Sequence, residues 1–326
     1  MLIRLIARTL PFVSICFFEE QFPLALLGAY HHTKRTKPVA YFQAPLVALW
    51  LLPPRLGYNP PMPTRERSFR AEAVVLRHSD WGEADRILTL FTLEQGKLRA
   101  IAKGARKPRS RKAGHIEPFM RTSLQLARGR DMLIVTQAET LDAHQPVRDD
   151  LLLSTQAYYV VELLDRFTYE EGENRALYRL LADTLARLST GARLSTQANP
   201  DRVVRYYEVR LLDLVGFRPQ LFACVSCGEE IQPQDQFFSA ERGGVLCPKC
   251  GKGSGAWPVS MDALKYLRHF QRSSYPQAAQ APLSPGLNRE IESLMQHYLT
   301  YLLERGLNTP AFLRRVRKGP VEAENY

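Results

Sequence analysis

Cys224-Val225-Ser226-Cys227-Gly228 and Cys247-Pro248-Lys249-Cys250-Gly251 form two C-x-x-C-G pairs with nineteen residues between them. This spacing is that of a four-thiolate zinc site. Each pair sets two thiolates on one tight knuckle, and the glycine after it lets the backbone turn so that amides point at sulfur. Between the pairs, residues 237–240 and 243–246 predict a small hairpin turning at Gly243-Gly244. The competing reading is two unrelated pairs, redox-active or coincidental, which leaves the matched spacing without a cause. Four thiolates close a tetrahedron and leave no position for water or substrate, so the expected Zn2+ at Cys224, Cys227, Cys247 and Cys250 is structural.

The 326 residues suffice for two or three domains, and 45% hydrophobic with 24% charged residues is ordinary globular composition. The net charge of +11 favours an anionic partner where the charge is clustered. Five cysteines, four of them in the zinc pattern, fit a reducing compartment; the fifth is Cys16. Three apolar runs, at 10–18, 22–30 and 44–52, are each shorter than the roughly 18 residues of a membrane-spanning helix. Glu19 and Glu20 after the first run, with no small-residue cleavage site, argue against a signal peptide. Met62 precedes the first well-patterned sequence and marks the expected start of translation. Residues 1–66 are therefore expected to be an extension, either a start-site artefact or disordered.

From 67 to 146 the pattern is β. Residues 71–76 and 86–92 are β-rich, with a turn at Ser79-Asp80-Trp81-Gly82. Strand three, 97–103, alternates Leu98, Ala100 and Ala102 against Lys97, Arg99 and Lys103. Thr122, Leu124 and Leu126 share one face of a fourth strand, and 132–138 is a fifth. Five strands in about 75 residues predict an OB-fold barrel, or else a small open sandwich. The connection between strands three and four holds Lys103, Arg106, Lys107, Arg109, Arg111 and Lys112 and no acid. Over 97–130, eleven Lys or Arg face the single acid Glu117, so this segment carries nearly all the excess charge. Charge this dense calls for an anion, and a phosphate backbone is the obvious one. Those six residues, with Lys97, Arg99 and Arg121, are the expected DNA contacts. Trp81 and Phe119 are the candidates for base stacking.

From 147 to 318 the period is helical. The expected helices are 151–167, a second striped by Leu177, Leu180, Leu181, Leu185 and Leu188, and a third capped by Asp201 after a polar linker at 189–200. The zinc module, 222–256, interrupts this domain. A fourth helix starts at Ser260, residues 273–285 are a loop, and Ile291, Leu294, Met295, Tyr298 and Leu302 stripe a fifth. Thr309-Pro310 starts a short last helix ending in Arg314-Arg315-Val316-Arg317-Lys318. That cluster either complements the helix dipole or makes a second nucleic-acid contact. Residues 319–326 are a tail. The fold class is thus α+β and multidomain: a five-stranded barrel, then an all-α domain with a four-cysteine insertion. No P-loop, nucleophile elbow, HExxH or Ser/His/Asp grouping is present, and Glu83 with Asp85 is read as a polar turn, so nothing argues for catalysis.

Several stretches in order resemble the RecO family of bacterial recombination mediators. They are Gly82-Glu83-Ala84-Asp85-Arg86-Ile87, Gly96-Lys97, Ala102-Lys103-Gly104-Ala105-Arg106-Lys107, Ser110-Arg111 and Glu117-Pro118-Phe119. Gly216-Phe217-Arg218-Pro219-Gln220-Leu221 and Arg242-Gly243-Gly244-Val245-Leu246-Cys247 follow. The resemblance covers about 67–318, with an aromatic departure at Trp81, where Tyr is common. It implies an OB-fold, a helical domain and an inserted zinc module. It also implies binding of single- and double-stranded DNA, strand annealing, and action with RecR and often RecF to load RecA onto strands covered by single-strand-binding protein. The expected location is cytoplasmic and nucleoid-associated. The competing hypotheses are an RNA-binding OB-fold plus zinc-ribbon protein of translation or transcription, and a hydrolase for an anionic substrate.

Overall fold

The computed structural model describes residues 67–170, 172–193, 199–304 and 306–318; the expectations for 1–66 and 319–326 lie outside these. Strands β1 (Ser68–Trp81), β2 (Asp85–Thr92), β3 (Gly96–Ala102), β4 (Arg121–Arg128) and β5 (Leu133–Asp142) close into a barrel of order β1-β2-β3-β5-β4. All pairs are antiparallel except β3 with β5, and β1 closes the ring on β4. This is the OB arrangement, and closure removes the open-sandwich alternative. Strand three alternates as its sequence predicts: Leu98, Ala100 and Ala102 enter the barrel core and Arg99 faces out.

Strand β1 explains its own unbroken run Ala73-Val74-Val75-Leu76. Ala71, Ala73 and Val75 line the barrel, while Val74 and Leu76 join the core of the helical domain. A strand covered on both faces loses the polar half of its alternation. Beyond that run β1 stays paired with β2 through the exposed Ser79, Asp80 and Trp81, so the turn falls at Gly82-Glu83-Ala84, three residues later than expected. β5 likewise runs on to Asp142.

The helical part begins with a short α1 (Gln145–Asp149), which was not expected, followed by α2 (Leu151–Phe167) at the expected bounds. α3 (Arg175–Arg193) runs into the segment expected to be linker. α4 (Pro200–Leu214) is capped by Asn199, not Asp201: the Asn199 side chain accepts from the Asp201 and Arg202 amides at 3.0 and 3.4 Å. Proline at the first helical position sets the cap one residue before it. Asp201 instead accepts from Gln156 and Asn288 at 2.8 and 3.1 Å.

The inserted module has β6 (Gln236–Ser239), β7 (Gly244–Leu246), a one-turn α5 (Pro248–Gly251) and β8 (Trp257–Val259), in sheet order β7-β6-β8. The expected hairpin is β6–β7, and β8 is an addition. The chain returns to α6 (Met261–Arg272), whose cap Ser260 accepts from Ala263 N, then to a short α7 (Tyr275–Ala278) within the expected loop. α8 (Pro285–Leu303) and α9 (Thr309–Lys318) complete the domain. The terminal basic cluster is partly tied down, while Arg314 and Arg315 are exposed. Arg317 pairs with Glu292 at 2.7 Å and with Asp201, and Arg314 donates to Gln296 at 3.2 Å.

α4 also buries an ion pair that no sequence pattern announced. Arg205 and Glu208 are both solvent-excluded, 2.9 Å apart, and Tyr159 donates to the same Glu208 oxygen at 2.6 Å. Burial pushes the Glu208 carboxyl up to about 7, against the opposing pull of Arg205 and Tyr159. Arg205→Met should therefore lower unfolding stability by about 3–5 kcal/mol, since it leaves a buried carboxylate uncompensated. The sign of its pH dependence follows. A carboxyl whose folded pKa is raised above its unfolded value stabilises less as pH rises through that window. Urea melts should show a larger deficit at pH 8 than at pH 5.

Candidate nucleic-acid interface and metal centre

The Sγ atoms of Cys224, Cys227, Cys247 and Cys250 all lie within 4.8 Å of one another. The Cys227–Cys247 separation is 3.8 Å. A tetrahedron with metal–sulfur bonds of about 2.3 Å has edges of about 3.8 Å, so the four side chains fit a tetrahedral metal ion. Cys224 is buried, which pushes its thiol up. Amides of Cys227, Cys247 and Ser226 outweigh that effect and hold it below the usual thiol range, while neighbouring cysteine side chains push Cys227 and Cys250 up. The two knuckle glycines act differently. Gly228 takes the left-handed conformation at φ +77°, whereas Gly251 lies so close to the Phe237 ring that a Cβ would meet it at 2.5 Å.

The basic loop leaves the barrel at β3 and returns at β4. Its ends are held by apolar and acidic neighbours. Ala105 and Ile116 are buried in the barrel core. Gly104 N donates to Asp85 Oδ1 at 2.7 Å, and Arg106 N donates to the Ala84 carbonyl at 2.9 Å. Glu117 accepts from Arg86 at 2.8 Å and lies 3.2 Å from His78. These partners hold Glu117 below the usual carboxylate range although burial acts the other way. Asp85 and Glu117 are thus committed to the loop's two ends. Lys103, Lys107, Arg109 and Arg111 are exposed and, among the described residues, make no ion pair.

The remaining expected contacts divide. Arg106 is exposed but pairs with Asp80 at 3.2 Å. Arg99 lies 3.9 Å from Glu170 and Arg121 3.4 Å from Glu72, each partly exposed. Lys112 is half-buried and donates to the Val135 carbonyl at 3.0 Å; burial lowers its pKa. Lys97 does not belong on a DNA track. Its side chain is 13% exposed, 2.7 Å from the Asp165 carboxylate, and it also donates to the Asp165 and Thr168 carbonyls. It fastens the barrel to α2. Phe119 is a second correction: at 2% exposure it packs edge-on against Tyr158 at 4.6 Å and offers no face to a base. Trp81 is 59% exposed at the end of β1, beside the β1–β2 turn that holds the loop. The positioning acids Asp80, Asp85 and Glu117 were not anticipated. Only a pairing across 19 or more residues reveals them, and no local pattern carries it.

Among the described residues no helix is long and apolar enough to cross a membrane. Two family models match the chain. One, described as Recombination protein O N terminal, covers residues 67–144, and the other, Recombination protein O C terminal, covers 148–311. Similar proteins include one named DNA repair protein RecO from Roseiflexus sp. (strain RS-1), 43% identical over 255 residues, covering 78% of this chain and 88% of that protein. Proteins of the same name from Dehalococcoides mccartyi (strain ATCC BAA-2266 / KCTC 15142 / 195) and Desulforamulus reducens are each 34% identical. They cover 74% and 77% of this chain and 93% and 95% of their own lengths.

The different environments of two lysines give a direct test. Lys97→Met leaves Asp165 short of its closest cation and should destabilise the fold by about 1.5–3 kcal/mol, the range for hydrogen bonds to charged groups. Lys107→Met should leave thermal stability unchanged. Differential scanning calorimetry of the two variants checks the contrast.

Proposed function

The chain belongs to the RecO family of DNA repair proteins, and from that membership we propose that it is a recombination mediator that anneals DNA. It binds single- and double-stranded DNA through the barrel and brings complementary strands together. With RecR, and with RecF where that protein takes part, it helps load RecA onto strands coated by single-strand-binding protein. The barrel, 67–146, supplies the DNA surface; the helical domain, 147–318, with the module at 222–256, supplies the frame. The setting is the cytoplasm, on the nucleoid.

The observation that carries this reading is the loop whose ends are held by acids and apolar anchors while its middle stays cationic. Two complementary strands repel through their phosphates. A surface that neutralises both lowers that barrier, and base pairing then proceeds downhill without nucleotide hydrolysis. Lys103, Lys107, Arg109 and Arg111 contact phosphates, with Arg106, Arg99 and Arg121 at the margins. Trp81 offers an exposed aromatic face to a base. The metal of the four cysteines is Zn2+; it holds the knuckles and takes no part in DNA chemistry.

The test uses the full chain with Lys107, Arg109 and Arg111 each changed to Glu. The salt slope of single-strand binding should fall by about 0.7–0.9 log units for each phosphate that is no longer neutralised. Annealing of coated complementary strands, without ATP, should fall with it. An unchanged slope would refute the phosphate assignment, and preference for matched RNA in competition would favour an RNA-binding role. Metal analysis should find one zinc per chain, and Cys247→Ser should release it with only an indirect effect on DNA binding.

A further inference from the structure

A second cationic surface lies on α6, away from the barrel loop. Arg268 and Arg272 are one helical turn apart and both stack on Phe222, with guanidinium carbons 5.1 and 3.8 Å from the ring centroid. Arg272 is exposed. Among the described residues neither arginine makes an ion pair; the carboxylate that acts on Arg268 is Glu230, and Arg272 opposes it. Arg268 donates from Nε to the Leu221 carbonyl at 2.8 Å, which fixes the plane of its guanidinium, while its Nη2 is buried without a partner. Nearby, Arg210 and Arg218 share one acid, Asp213, at 3.1 and 3.6 Å. Arg210 is tied to α6 through the Gln271 carbonyl, and Gln271 donates in turn to the Pro219 carbonyl beside Arg218. These four arginines are met by two carboxylates, Asp213 and Glu230.

Like charges held together on a rigid ring need an anion to relieve them. The barrel packs on α2, whereas α6 packs on α4 and α8, in the layer beyond. A planar guanidinium parked on an aromatic ring presents both phosphate-binding donors and a flat face on which a base can stack. An acidic peptide would use the donors and leave the flat face idle, so the arrangement favours a nucleic-acid strand. Building on the annealing function proposed above, we propose that Arg268, Arg272 and Phe222 form a second strand-binding platform, which holds one DNA strand while the barrel loop holds its complement.

The test titrates the full-length protein with a short labelled oligothymidylate at low salt and reads stoichiometry, affinity and annealing separately. The parent protein should take up two strands per chain. Arg272→Glu should take up one, with the tighter Kd changed less than twofold and annealing at least fivefold slower. Arg272→Lys should keep both strands. The loop triple variant should show the reverse pattern, releasing the tighter strand and keeping the weaker. A parent protein that binds a single strand would overturn the platform. So would an Arg272→Glu protein, melting at the parental temperature, that still binds two strands. Displacement of the weaker strand by oligoglutamate at lower concentration than by oligothymidylate would also overturn it in favour of an acidic peptide. Two bound strands without annealing would support the platform and refute annealing alone, so the two readings fail separately.

Discussion

Repulsion among like charges on one short loop is the constraint that the mouth of the barrel answers. Lys103, Arg106, Lys107, Arg109, Arg111 and Lys112 fall within ten residues. Two unit charges 4 Å apart still repel by about 1 kcal/mol in water. The loop nevertheless has fixed ends. Ala105 and Ile116 sink into the barrel, and Asp85 takes the Gly104 amide. Asp80 takes the Arg106 side chain, and Glu117 takes Arg86. Asp85 holds a backbone amide, and Asp80 and Glu117 hold arginine side chains at the loop's ends; none of the three pairs with Lys103, Lys107, Arg109 or Arg111 at its middle. The result is a cationic surface that is positioned without being neutralised.

The sequence showed most of the architecture and part of the site, and the division has a physical basis. Where one face of an element meets solvent, periodicity survives: Leu98, Ala100 and Ala102 lie inside as their spacing predicts, and α2 spans 151–167 as its pattern predicts. Where both faces are covered, as at 73–76 of β1, the alternation is erased, and the strand's exposed end at 79–81 is set by pairing with β2 rather than by any pattern. Residue type alone also misleads at Lys97 and Phe119. Each lies in a basic or aromatic-rich stretch that looks like a binding surface, but each points at a helix that arrives from far along the chain. Exposure is a property of the packed molecule, and only Asp165 and Tyr158 reveal that these two are covered. The four-cysteine cluster was legible because sulfur spacing within a knuckle is local, and the second knuckle repeats the first.

The motifs that carried the family resemblance are mostly joints. Asp85 and Arg86 brace the ends of the basic loop. Gln220, in the Gly216–Leu221 stretch, donates to the Gly243 carbonyl and accepts from Val245 N, both in the stretch before Cys247. The segment leading into the first cysteine pair thus pairs with the strand leading into the second. Gly244 packs there against Gln220 and Val225 so closely that a Cβ would collide with both. Phe238 of the module meets Tyr298 of α8 edge-on at 5.2 Å. The metal knuckles, the hairpin and the helical domain are consequently one mechanical unit, which is why the cysteine module sits inside the helical domain rather than hanging from it.

The last helix is started by a residue from far back in the chain. Glu162, on α2, accepts from the amides of Asn308 and Thr309 and from the Thr309 hydroxyl, so α9 has its first turn capped by a partner 146 residues upstream. On the ribosome, α2 emerges with that carboxylate facing only Arg166 of its own helix, 3.9 Å away. At ordinary synthesis rates of 5–20 residues per second, roughly 7–30 s pass before Thr309 follows. For that interval the nascent protein has a complete barrel beside a helical face that nothing yet covers. The arrival of α9, which packs on α2, ends that interval.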